Sequence, residues 1–143
     1  MPGVGPPGPP SKPIDWPYLW PPLGKGWKNI GWLNPMEHPT VIRPADHAAW
    51  RSDRMGKSTI YQSPRLLVGL NAFEPGQSHA LHAHAGLDKV YQVVEGEGEF
   101  LLEGQALPMQ AGDLLVAPEG VPHGVRNTGA GRLLVLLILA PAP

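Results

Sequence analysis

The 143-residue sequence predicts an all-β domain, a barrel or a sandwich, and three features carry that prediction. From Lys57 onward, short apolar segments recur at even spacing and are separated by glycine-bearing turns. Within several of them apolar and polar side chains alternate, as on a half-exposed strand. No stretch repeats apolar residues at helical spacing for more than one or two turns, and Ala45 to Met55 (ADHAAWRSDRM) is the one helical candidate.

Taken in order, the strand candidates are STIYQ, then RLLVGLNAF, which ends at the turn signal Glu74-Pro75-Gly76. HALHAH precedes Ala85-Gly86. KVYQVV and EFLLEG flank an EGEG turn, so they read as a hairpin. QALPM, LLVAP and HGVRN follow, each bounded by glycine or proline. The last, RLLVLLILA, comes after the turn TGAG. In the fifth segment Gly98, Phe100 and Leu102 form one face, and Glu97, Glu99, Leu101 and Glu103 form the other. The acidic row reads as solvated surface. Leu133 to Leu139 is apolar at every position, which predicts burial on both faces, by the core on one side and by another layer or another subunit on the other.

The N-terminal third differs in texture. Eleven of the nineteen prolines fall in the first forty residues, and four of the five tryptophans lie between Asp15 and Asn34. Proline lacks the amide hydrogen and glycine carries an entropic cost, so neither helix nor sheet is expected there. Residues 1–35 therefore read as an irregular Pro/Gly/Trp-rich arm, partly disordered, with Met1 to Pro13 loose and some of Trp16 to Trp32 docked. The arm is either part of the protein or a leader dispensable to the domain of residues 36–143.

Bulk composition excludes several classes. Lys plus Arg is 11 and Asp plus Glu is 12, with no basic run, which argues against nucleic acid or an anionic membrane as partner. There is no cysteine, hence no disulfide framework and no thiolate metal site. The longest apolar run, Leu133 to Ala140, is too short to span a bilayer. A soluble, cytoplasmic protein is expected, and the apolar last strand together with the aromatic arm points to a homodimer.

Three of the six histidines lie between His79 and His84. On a strand His82 and His84 point the same way, about 6.5–7 Å apart. They can share one metal ion if a third ligand arrives from a neighbouring strand, and His123 is the only later histidine. His79 has the opposite parity and reads as a surface or turn residue.

The spacing around these histidines resembles the cupin superfamily. Its first motif runs Gly, five residues, His-x-His, three or four residues, Glu, six residues, Gly; here Gly76, His82, His84, Lys89 and Gly96 stand at those positions. Its second runs Gly, five residues, Pro-x-Gly, two residues, His, three residues, Asn; here Gly112, Pro118, Gly120, His123 and Asn127 match at every fixed position. The resemblance covers about Val41 to Ala140 and implies a jelly-roll β-barrel with a metal site. Asn127 is expected to tie its loop by hydrogen bonds, and Gly76, Gly96, Gly112 and Gly120 to turn the chain.

The departure is Lys89, which stands where the family carries an acidic metal ligand. Counting back from Gly96, Lys89, Tyr91 and Val93 face inward, whereas Asp88, Val90 and Gln92 face out. A protonated ammonium cannot bind a metal, so Lys89 is either neutral, with its pKa lowered by burial and the ion, or turned away. Four arrangements compete. The favoured one is His82, His84 and His123 with open positions. The second adds Asp88, turned inward by a twist or bulge near Gly86. The third binds an organic ligand without metal. The fourth uses Lys89 as a ligand or base. For Lys89 the plain alternative is a stem packed on the barrel wall with its head reaching water; for Tyr91 it is ordinary barrel packing.

Three imidazoles suit one divalent transition metal, with Fe, Mn, Zn, Ni and Cu unresolved, and favour an anionic or chelating oxygen ligand. The function expected is a small metalloenzyme, dioxygenase- or isomerase-like, acting on a small organic molecule with Lys89 and Tyr91 beside it. The alternative is a non-catalytic binding or sensing domain. Phe100, Leu102, Val93, Val125 and Val116 are expected to give the pocket an apolar wall.

Overall fold

The structure is a computed structural model and describes residues 39–143. The expectations for the arm, residues 1–35, lie outside the described residues. Nine strands follow in the predicted order: β1 (Gly56–Gln62), β2 (Leu67–Phe73), β3 (Ser78–His82), β4 (Asp88–Glu95), β5 (Glu97–Leu102), β6 (Gln105–Gln110), β7 (Leu114–Ala117), β8 (His123–Arg126) and β9 (Leu133–Ala140). They pair antiparallel throughout, in a five-stranded sheet ordered β1-β2-β9-β4-β7 and a four-stranded sheet ordered β3-β8-β5-β6. No helix among the described residues is long and apolar enough to cross a membrane.

The alternation in each strand sorts its side chains. Phe73, Tyr91, Val93, Phe100, Val125 and Val135 belong to the main core. Central strand β9 is buried on its inner face and, as far as Ile138, buried or half-buried on the other. Leu133, Val135, Leu137 and Leu139 join that core, while Leu134 packs with Leu70 and Ala72 in a second apolar layer.

Ala45 to Met55 does not form a helix. A single 3-10 turn spans Pro44–His47, and the chain leaves it extended at Ala48. Tertiary packing decides this outcome. Ala48 and Trp50, two apart as in a strand, pack on the second apolar layer with Ile60 and Leu136, and the Arg132 guanidinium sits 4.6 Å from the Trp50 ring centroid. This segment crosses so close to Gly56 that a Cβ there would stand 1.5 Å from the Ala49 carbonyl oxygen, so no larger residue fits. Leu134 on the outer face of β9 is thus covered by the chain itself, whereas Leu136 and Ile138 on that face keep partial exposure.

Candidate metal centre

His82 is the last residue of β3 and pairs directly with His123, the first residue of β8. His84 lies two residues past the end of β3. The loop that carries it is stitched to the loop before β8 by three hydrogen bonds. The Gly120 N–H donates to the His84 carbonyl (2.8 Å), the Gly86 N–H to the Glu119 carboxylate (2.7 Å), and the Glu119 N–H to the Asp88 carboxylate (2.9 Å). Gly120 has φ +76°, a conformation glycine adopts without strain. The two motif loops are therefore fixed to each other, and so are His84 and His123.

One nitrogen from each of His82, His84 and His123 lies within 4.8 Å of the other two. Ring centroids are 4.9 Å apart for His82 and His84, 4.5 Å for His82 and His123, and 5.6 Å for His84 and His123. His82 Nδ1 is 2.8 Å from the Ala80 carbonyl oxygen, and His123 Nδ1 is 2.7 Å from that of Val121. A carbonyl only accepts, so each Nδ1 carries the proton and each Nε2 keeps its lone pair. The Nε2 atoms of all three residues are buried and have no hydrogen-bond partner. Leaving one buried polar atom unpaired costs on the order of 1–3 kcal/mol. Two such acceptors, with the unpartnered Nε2 of His84 beside them, suit a shared cation. Imidazole ligation at about 2.0–2.1 Å would draw the nitrogens closer together, so the residues present fit a metal ion.

The first departure from the sequence reading is His79. Alternation places it on the opposite face, but β3 has a register shift between His79 and His82. The extra residue is a bulge, and it turns His79 back toward the cluster. The rings of His79 and His82 lie 4.1 Å apart, and His79 Nδ1 is buried without a partner. Consecutive spacing in the sequence carries no signal for a bulge, so nothing there could have placed His79.

Lys89 and Tyr91 face inward. Lys89 is only 4% exposed and has no ion-pair partner among the described residues. Its ammonium nitrogen sits 4.5 Å from the Tyr91 ring centroid, and that ring is 5.6 Å from His123. Burial, then the charge of Lys57, lowers the Lys89 pKa to about 8. Burial raises that of Tyr91, whose hydroxyl is buried and unpartnered. Burial first, then neighbouring charges that include Lys89 and Lys57, lowers the pKa of His82 and His84; for His123 burial is again the main cause, with Lys89 contributing. The histidines therefore stay neutral, as ligation requires.

Asp88 is not brought to the group. It is exposed on the outward face of β4, and its carboxylate is taken by the Glu119 N–H. No register shift falls between Asp88 and Val93 in β4, so Asp88 stays where alternation puts it. Val116, assigned to the pocket wall, also faces out at 54% exposure; the inward positions of β7 belong to Leu115 and Ala117. Asn127 is buried and ties its loop: its amide donates to the Phe73 and Gly131 carbonyls, and its oxygen accepts from the Gly129 N–H.

Two facing antiparallel sheets around a three-histidine cluster define a cupin-type barrel. Residues 69–139 match the family model described as Cupin domain, and the chain belongs to this family. It is 32% identical to the oxalate-binding protein of Thermotoga maritima over 59% of this chain and 69% of that protein. It is 30% identical to a gentisate 1,2-dioxygenase of Ralstonia sp over 59% of this chain but only 24% of that protein. The crystal structure of TT1209 from Thermus thermophilus superposes with a TM-score of 0.68 at 37% identity, covering 72% of this chain and 98% of that one.

Proposed function

We propose that this protein is a metal-dependent cupin that binds a small organic acid at His82, His84 and His123. The observation that carries the reading is the set of three buried, unpartnered Nε2 atoms with no carboxylate among them. A divalent ion there would act as a Lewis acid toward a bound oxygen ligand. Neutral imidazoles leave the ion's charge uncompensated, and the Lys89 ammonium adds to it, so an anion is the complementary ligand. Lys89 lies inside the barrel as a charge partner for a carboxylate or enolate oxygen. The Tyr91 hydroxyl stays protonated and can donate a hydrogen bond. Phe100, Val93 and Val125 exclude water from the inner end of the barrel, strengthening both interactions.

The relatives named above bind or act on carboxylic acids, oxalate and gentisate, which supports the same ligand class here. A dioxygenase- or isomerase-like reaction is the catalytic form of this reading. Binding without turnover is the second form, favoured by the oxalate-binding relative, which the match covers over most of its length. Elemental analysis of the purified protein, followed by titration of the stripped protein with Fe, Mn, Zn, Ni and Cu, tests the metal. Calorimetry with oxalate and gentisate, alongside oxygen uptake, separates turnover from binding. The reading fails if no divalent ion binds at micromolar concentration.

A further inference from the structure

A cavity of about 440 Å³ lies beside the three-histidine group, lined by Arg51, Arg54, Met55, Lys57 and His79. Its walls come from β1 with its approach and from β3, the end strands of the two sheets. Lys57 is opposite Asn71 in the β1–β2 register, and directly opposed residues share a face. Asn71 has the parity of Phe73, a main-core residue, while Leu70 and Ala72 belong to the outer layer. Lys57 therefore projects from the inner face of the sheet edge toward the cavity. Across from it stands His79, whose ring rests on that of His82 at 4.1 Å. His79 thus borders both the cavity and the three-histidine group, and the charge of Lys57 reaches His82, His84 and Lys89.

The charges in this cavity are unbalanced. Arg51 donates to both carboxylate oxygens of Asp53, at 3.0 and 2.9 Å, and is largely satisfied. Arg54 touches the same carboxylate only loosely, at 3.9 Å. Lys57 has no ion-pair partner among the described residues. Three cations against one carboxylate leave Arg54 and Lys57 with donors to spare, and the cavity offers room for an anionic group between them. His79, which lines the same cavity, has a buried Nδ1 without a partner.

We infer that this cavity is an anion subsite that takes the second carboxylate of a ligand whose first carboxylate sits at the three-histidine group, so that the protein selects elongated dicarboxylates over monocarboxylates. The inference rests on the organic-acid reading above. Arg54 and Lys57 are exposed, and screening limits what such cations contribute. The selectivity expected is about tenfold rather than thousandfold.

The test uses the full chain loaded with metal and calorimetric titration of matched pairs: succinate against butyrate, glutarate against valerate, adipate against hexanoate. Wild type should prefer the diacid by about tenfold for at least one length. Arg54→Ala/Lys57→Ala should lose that preference while keeping one metal per chain, its melting temperature and its monocarboxylate affinity within about twofold. Lys57→Arg, which keeps the charge, should retain the preference. No preference at any length in wild type, or an undiminished preference in the double variant, overturns the inference. Absence of metal binding by wild type sinks the three-histidine reading alone. The metal-free protein then decides the subsite: diacid binding that the double variant lacks sustains it, and equal or absent binding overturns it.

Discussion

His79 stacks on His82 with ring centroids 4.1 Å apart and planes inclined by 32°, although alternation along an unbroken strand would put them on opposite faces. The bulge in β3 makes the contact, and the contact holds the His82 ring in addition to its hydrogen bond to the Ala80 carbonyl. His79 is therefore expected to support a ligand. Ring contacts of this kind are worth about 0.5–1.5 kcal/mol. His79→Ala should weaken metal binding by roughly two- to tenfold, against a loss of at least about a hundredfold for His82→Ala, His84→Ala or His123→Ala. Competition with a chromogenic chelator measures both. A loss as large as that of the other three would make His79 a ligand.

Asp88 is expected to act through the backbone. Its carboxylate accepts the Glu119 N–H, and Glu119 in turn accepts the Gly86 N–H, so the pair joins the loop of His84 to the loop of His123. Asp88→Asn keeps a carbonyl oxygen for that bond and should leave metal affinity within about threefold. Asp88→Ala removes it and should cost about 0.5–1.5 kcal/mol of stability. Chelator competition and urea denaturation of the two variants check this. A hundredfold loss of affinity in Asp88→Asn would instead mark Asp88 as a metal ligand.

All nine strands were legible in the sequence because turn glycines and alternation are local signals. The inward register of Lys89, Tyr91 and Val93 was legible for the same reason, since β4 runs from Lys89 through Val93 without a break opposite β9. What escaped were the features set by contacts between distant segments. Ala45 to Met55 carries helical spacing, yet Ala48 and Trp50 are drawn out to cover β9. His79 moves by a bulge, which inserts a residue without altering any turn signal. Val116 read as core by its chemistry, but it lies on the outward face of β7, at the end of the five-stranded sheet.

The buried Lys89 ammonium and the imidazoles make the stability of the metal-free protein depend on pH. Burial first, then His82, Lys57 and Lys89, push the His79 pKa down from 6.5 to about 3, and burial lowers His82, His84 and His123 as well. Below pH 6.5 the unfolded chain takes up protons that the folded protein refuses, so stability is full above that value and falls as pH drops toward the folded values. Lys89 is held at about 8 against an ordinary 10.5. By the same sign, stability falls as pH drops from 10.5 to about 8 and is flat below. Urea midpoints of the metal-free protein should therefore rise from about pH 4 to 7 and rise again between about pH 8 and 9.5. Lys89→Met should remove the upper rise and stabilise the metal-free protein near neutral pH by about 1–3 kcal/mol, because a buried unpaired charge is gone. An unchanged upper limb in that variant would assign it to another group.

Lys89 also sets the charge of the site, and reversing it gives the sharpest test of what the site is for. The side chain is inward, nearly fully buried and beside the ring that packs against His123. With lysine there, the three imidazoles offer a divalent ion no negative charge, so the ion binds less tightly but keeps its pull on an anion. Lys89→Glu replaces a repelling charge with an attracting one at the same inward position. Divalent metal affinity should then rise by at least about tenfold, and carboxylate binding to the loaded protein should fall by at least as much, because the ion's charge is partly neutralised and the ammonium is lost. The two changes must go in opposite directions, which distinguishes them from simple damage to the barrel. Chelator competition gives the first and calorimetry with oxalate the second. If Lys89→Glu left carboxylate affinity unchanged, the ammonium would have no part in holding the ligand, and the barrel-wall reading of Lys89 would stand.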